Sequence, residues 1–162
     1  MHDLTHPIET GMATYPGDPS VEIEAVATHD NDGYRVGRIT CGTHTGTHVD
    51  APAHTEPDGR TLDSFDVASF VRTARRIDCR DFDAREEIPA NQIPTVGPEV
   101  DCLVIWTGWD TDWGTDRYLD HPYLSEAGAK RCVQQDLAVA IDTPNPDPTP
   151  GERADDEPTR FP

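Results

Sequence analysis

Lysine is nearly absent from this chain: Lys130 is the only one, and every other basic side chain is arginine. Thirteen basic residues stand against thirty-one acidic ones, for a formal charge of −18. A surface so short of positive charge repels phosphate backbones and anionic headgroups, which argues against nucleic acid and membrane surfaces as partners. Self-repulsion of this size is tolerable where salt shortens its range to about 3 Å, near molar ionic strength, so the charge balance predicts a halophilic source. Cysteine is sparse as well. Cys41, Cys79, Cys102 and Cys132 lie far apart with no Cys-x-x-Cys pair, which excludes a zinc ribbon or a dithiol redox motif. Three of the four fall in apolar or strand-like segments, as expected of free, buried thiols in a reducing compartment. No basic segment followed by an apolar run opens the chain, and no stretch approaches the roughly eighteen apolar residues of a membrane span. The expected location is the cytoplasm. At 162 residues with no internal repeat, one domain with a real core is the default.

What is present in unusual density is histidine. His44-Thr45-Gly46-Thr47-His48-Val49-Asp50-Ala51-Pro52-Ala53-His54 gathers three imidazoles and a carboxylate in a chain with seven histidines. The spacing of His44 and His48 matches one face of a helix, but a helical metalloprotease motif needs glutamate directly after its first histidine, and position 45 is Thr. Gly46, the β-branched Thr47 and Val49, and Pro52 all oppose helix. The segment is therefore expected to be an extended strand running into a loop, with His44, Gly46, His48 and Asp50 on one face. Two neutral imidazoles and a carboxylate converging across a gap at Gly46 suit a metal ion with a coordination position left open. The absence of cysteine from the cluster argues against a closed structural zinc site. His54, beyond Pro52, is displaced from the ligand row and placed to move protons, a task suited to imidazole because it changes charge between about pH 5 and 8.

The remaining segments read as an α/β chain. Val21 to Val26 alternates apolar and acidic residues, as a strand with one buried face does, and a second strand from about Tyr34 to Cys41 could pair with it as a hairpin. Residues 62–71 are a weak helix candidate, residues 74–79 a short strand, and the proline-rich connection 89–98 has room for a brief helix near Asn91. Cys102-Leu103-Val104-Ile105-Trp106 is the most apolar run and reads as a central strand buried on both faces. Ser125 as N-cap with Glu126 in the first turn opens a helix to about Gln135. Leu137 to Ile141 follows as a second buried strand, giving the helix-then-strand rhythm of α/β folds. Tyr15, in a loop with two prolines and two glycines, is either a pocket wall or an anchor on the core. Trp109 and Trp113, in an acidic loop after the apolar strand, are either walls for an aromatic substrate or loop anchors. After Asp142, residues 143–162 hold six prolines and many acids, so a folded part over 1–142 is expected to be followed by a loop or disordered end.

The histidine-rich segment resembles the metal-binding signature of the cyclase family of metal-dependent hydrolases, whose best-known members are bacterial kynurenine formamidases. The likeness extends to Asp3-Leu4-Thr5-His6-Pro7-Ile8 with Tyr15-Pro16-Gly17-Asp18-Pro19, to Trp106-Thr107-Gly108-Trp109-Asp110 with Pro122-Tyr123-Leu124-Ser125, and to Ile141-Asp142-Thr143. The resemblance implies a mixed β-sheet core with flanking helices, of the swivelling β/β/α kind, and a homo-oligomer acting on a small molecule. It also implies a divalent ion, zinc or manganese, on His44, His48 and Asp50, and His54 as general base and then acid. The reaction it points to is hydrolysis of a small amide or ester, such as N-formylkynurenine in tryptophan breakdown. In the family a segment beyond the final loop adds a His and a Glu to the metal site, and the chain is expected to lack that C-terminal part. The alternative is a catalytically impaired relative that only binds metal or ligand.

Overall fold

The computed structural model describes residues 2–150, so the distal part of the tail expected over 143–162 lies outside the described residues. The chain divides into two compact units, Met1–Asp66 and Val67–Pro162.

In the first unit, strand β1 (Glu22–Ala27) pairs antiparallel with β2 (Val36–Thr40), and the short helix α1 (His29–Asp32) lies in the connection. The hairpin expected from the alternating pattern is present. Glu24 faces Arg38 across the ladder, and their side chains meet at 2.6 Å. The expected burial is not: Val21 is buried, but Ile23 and Ile39, opposite each other in the register, are exposed. The alternation is that of a half-buried strand, yet in a two-stranded ribbon no second layer of the unit covers that face. A bulge between Ala25 and Ala27 shifts the register beyond this pair.

The helix expected over 62–71 does not form. Two 3-10 turns, Leu62–Ser64 and Val67–Phe70, stand there instead, separated by an extended Phe65. Short polar side chains bond to their own neighbourhood: Ser64 Oγ donates to the Thr61 carbonyl at 2.7 Å, and Thr61 Oγ1 to Asp63 at 2.5 Å. Local bonds of that kind compete with helix continuation.

The second unit is built on a parallel sheet of three strands, β3 (Ala74–Asp78), β5 (Cys102–Trp106) and β7 (Ala138–Ile141), with β5 central. A two-stranded parallel pair, β4 (Glu87–Ile88) with β6 (Tyr123–Leu124), lies in the same unit. The apolar run expected to be central is so: Leu103 and Ile105 are fully buried, with Cys79, Ile88, Ile93, Leu124 and Cys132 in the same cluster. Trp106 closes the strand under the guanidinium groups of Arg76 and Arg80, which lie 4.5 and 3.8 Å from its ring centroid. β7 is less buried than its composition suggests, because it is the edge of the sheet and Val139 stays 36% exposed.

Helix α2 (Glu126–Gln134) starts as expected, with the Ser125 hydroxyl accepting from the Gly128 amide at 3.1 Å. It stops at Asp136, which takes the left-handed conformation at φ 55°, while the Leu137 amide returns to the Cys132 carbonyl at 3.0 Å. A brief 3-10 turn, Ala90–Gln92, sits where one was expected. Three cysteines are buried and free, and Cys41 is exposed and free. No helix among the described residues is long and apolar enough to cross a membrane. Parallel and antiparallel pairings with few helices make this an α/β fold.

Candidate metal centre

The histidine segment lies in the first unit, and it is not a strand. Turns and bends run through residues 43–47, and Gly46 sits in the left-handed region at φ 60°. The β-branched Thr47 and Val49 favour extended backbone, but the left-handed glycine between the two histidines bends the chain there instead. Convergence, which the strand was to provide by alternation, is achieved by this turn.

His44, His48 and Asp50 each offer a donor atom, and the three atoms lie within 4.8 Å of one another. His44 Nδ1 is 2.7 Å from Asp50 Oδ1, and His48 Nε2 is 3.4 Å from the same oxygen. Ligand atoms about 2.0–2.1 Å from a tetrahedral ion are about 3.3 Å apart, which the His48–Asp50 separation matches, while the 2.7 Å between His44 and Asp50 is that of an N–H···O hydrogen bond an ion would displace. A nitrogen lone pair and a carboxylate oxygen at 2.7 Å repel unless a proton or a cation lies between them. The residues present therefore fit a divalent ion.

The orientation of His48 comes from the turn. Its Nδ1 is 2.9 Å from the Gly46 carbonyl, and since a carbonyl only accepts, Nδ1 carries the proton. In the neutral ring Nε2 then presents its lone pair toward Asp50, the state a metal ligand requires. The three side chains keep 24 to 46% exposure, so the centre is open to solvent on one side.

His54 belongs to the same cluster. Its ring lies 4.0 Å from that of His44, tilted by 39°, whereas His44 and His48 meet edge to face at 5.0 Å. A 3-10 turn over Pro52–His54 places it, with proline at the start where its missing N–H costs nothing. The Ala53 amide donates to the Arg60 carbonyl at 3.2 Å, which closes the loop. Gly59 is needed for that closure, because a Cβ there would lie 2.4 Å from the Pro52 backbone. Beside His44 and His54 is a cavity of about 550 Å³ whose other walls are Thr43, Val49, Ala51, Ala53, Thr61 and Leu62. Two imidazoles are thus set against a largely apolar wall.

Tyr15 is in this unit, half-buried at the start of a turn in which its carbonyl accepts from the Asp18 amide at 3.0 Å. It is not among the residues lining that cavity. Trp109 and Trp113 belong to the second unit. Trp109 is buried, donates from Nε1 to the Arg117 carbonyl at 3.1 Å and carries the Arg117 guanidinium on its ring. Trp113 meets Tyr118 edge to face with centroids 5.2 Å apart. His121, beside the Pro-Tyr-Leu-Ser run, is fully buried, with Nδ1 2.9 Å from the Pro122 carbonyl and Nε2 3.0 Å from the Thr149 hydroxyl.

Two features escape inspection of residue types. The Gly46 carbonyl fixes the tautomer of His48, and its one visible sign is a glycine placed between two candidate ligands. Asp142 organises the loop after β5: its carboxylate accepts from the Thr107 amide and hydroxyl at 2.8 and 2.6 Å and from the Gly108 amide at 2.7 Å.

With this geometry in place, the chain can be set beside known proteins. The sequence profile of the Cyclase family matches residues 2–148. Kynurenine formamidase of Bacillus cytotoxicus is 28% identical over 156 residues, covering 90% of this chain and 69% of the relative. Kynurenine formamidase of Bacillus mycoides is 39% identical over 77 residues, which cover 47% of this chain and 37% of the relative. Among solved structures, isatin hydrolase A from Labrenzia aggregata, bound to benzyl benzoate, superposes with a TM-score of 0.76 at 20% identity. That match covers 91% of this chain and 69% of the other. A potential metal-dependent hydrolase with cyclase activity superposes at 0.70, also with 20% identity, covering 94% and 71%. At such identities the likeness shows the fold, while the match over nearly the whole described chain shows the lineage. The chain belongs to the Cyclase family.

Proposed function

We propose that this protein is a metal-dependent hydrolase that cleaves a small amide or ester, with N-formylkynurenine or a similar aryl formamide as substrate. The reading rests on one observation, the convergence of His44, His48 and Asp50 with the His54 ring 4.0 Å from His44. The relatives named kynurenine formamidase support the choice of a formyl amide. A zinc or manganese ion held by His44, His48 and Asp50 would polarise the carbonyl and lower the pKa of the attacking water to about 7.

The chain's own groups do the rest. His54 takes the proton of the attacking water as the oxygen adds to the formyl carbon. It returns that proton to the nitrogen as the carbon–nitrogen bond breaks, so a formamide and water give a free amine and formic acid, which releases its proton to solvent as formate. The His48 Nδ1–H held by the Gly46 carbonyl keeps that ring from rotating. Val49, Ala51, Ala53 and Leu62 offer the apolar part of the substrate a wall beside the hydroxyls of Thr43 and Thr61.

The test is formate release from N-formylkynurenine by the purified chain, first stripped with a chelator and then reloaded with zinc or manganese. Isatin, a cyclic amide, serves as the comparison substrate. Turnover that follows the metal and disappears in His54→Ala supports the proposal. A chain that holds metal and hydrolyses neither compound is a binding protein without catalysis.

A further inference from the structure

The metal loop is also held from outside. Residues 6–12, remote in sequence, touch it at the two ends of one peptide unit. The His6 amide donates to Thr47 Oγ1 at 3.1 Å. Ile8 and Met12 lie over Gly46 so closely that a Cβ there would come within 3.0 Å of Ile8 Cδ1 and 3.3 Å of Met12 Cε. The peptide between Gly46 and Thr47 is the one whose carbonyl receives the His48 Nδ1–H at 2.9 Å.

Residues 6–12 are themselves fixed to the ribbon. The Gly11 amide donates to the Val21 carbonyl at 2.9 Å, and the Ile23 amide donates to Thr10 Oγ1 at 2.8 Å. A continuous path of contacts therefore runs from β1 through residues 6–12 to the turn at Gly46 and on to the ring of His48.

We propose that Thr47 is a positioning residue: by accepting the His6 amide it holds the Gly46–Thr47 peptide in the one orientation that aims His48 Nε2 at the metal. The physical reason is the freedom of that peptide. Glycine populates both signs of φ at little cost, so Gly46 alone does not set where its carbonyl points. Ile8 and Met12 restrict it from the Gly46 side by contact, and the Thr47 hydroxyl restricts it from the other side by a hydrogen bond. Releasing either end lets the carbonyl turn away from His48, and an imidazole without its outer partner loses both its fixed tautomer and its fixed ring plane. The inference rests on the metal site proposed above, and the experiment separates the two.

Thr47→Val keeps the β-branched shape and removes the acceptor, while Thr47→Ser keeps the acceptor. Zinc affinity of the full chain is measured by competition with a chelating indicator at fixed pH and salt, and the cobalt-loaded proteins are compared by visible absorption. Outer partners of metal-bound histidines are typically worth 10–100-fold in affinity, so Thr47→Val should bind zinc about 10-fold more weakly, with an altered cobalt spectrum and an unchanged apo melting temperature. Thr47→Ser should behave as the wild type. Equal affinity of Thr47→Val and wild type would overturn the role of Thr47 while leaving the metal site standing. So would a loss that Thr47→Ser shares. A wild-type chain that binds no zinc would refute the site itself, and this proposal with it.

Discussion

Asp142→Asn changes a single atom and should cost the second unit about 3 kcal/mol. In the folded chain the carboxylate accepts three hydrogen bonds, two at Oδ1 from Thr107 and one at Oδ2 from the Gly108 amide. Asparagine can keep the pair at its oxygen, but its amide nitrogen then faces the Gly108 N–H, donor against donor. An orphaned donor costs about 1–3 kcal/mol, and each retained bond weakens because its acceptor is no longer charged. Against this stands the removal of one negative charge from a chain carrying −18. At 1 M salt the screening length is about 3 Å, so that relief is small and the hydrogen-bond loss dominates. Urea unfolding in 1 M salt, followed by tryptophan emission, reads the effect directly, because Trp106, Trp109 and Trp113 are the only tryptophans and all lie in this unit. With a slope near 2 kcal/mol per molar urea, the midpoint should fall by about 1.5 M at an unchanged slope. A midpoint within about 0.3 M of wild type would show that Asp142 does not organise this loop.

Further outcomes follow from charge and burial. The melting temperature should drop steadily as salt is lowered from 1 M to 0.1 M, since the screening length then grows from about 3 to about 10 Å; a flat profile would refute the halophile expectation. Burial holds the His121 imidazole below its ordinary value, with Arg85 acting the same way and the Pro122 carbonyl and Asp120 opposing. The folded chain therefore resists a proton that the unfolded chain accepts, so stability is full above about pH 6.5 and falls as pH drops below it. Asp147, raised by burial, acts with the opposite sign: its contribution is lost as pH rises above the ordinary carboxylate range. His121→Asn, which keeps a donor for the Pro122 carbonyl and cannot titrate, should flatten the slope just below about pH 6.5, and an unchanged slope would assign the pH dependence to other groups.

What could be read from the sequence was what local residues decide. The five-residue apolar run of β5 became the centre of the sheet because nothing in it tolerates water. Ser125 and Glu126 opened α2 because an N-cap needs only its own first turn. Misreadings arose mostly where the answer lay elsewhere in the chain. The alternation of β1 specifies a face but not what covers it. Helical apolar spacing over 62–71 lost to hydroxyls that bond to their neighbours. Asp142 reaches Thr107 thirty-five residues away, and no local pattern announces that pairing. At the metal centre, residue types alone indicated which side chains meet. How they meet depends on Gly46 in the left-handed region, a choice that glycine leaves open and that residues 6–12 restrict.

Metal content measured beside turnover on the same samples separates the roles of the four side chains of the metal centre. The described residues hold one cluster of three donors, so the wild-type chain should carry one tightly bound divalent ion. His54→Ala should carry the same ion and lose most hydrolysis, while His48→Ala should carry none. Equal depletion of His48→Ala and His54→Ala, or full metal content in His48→Ala, would contradict the account.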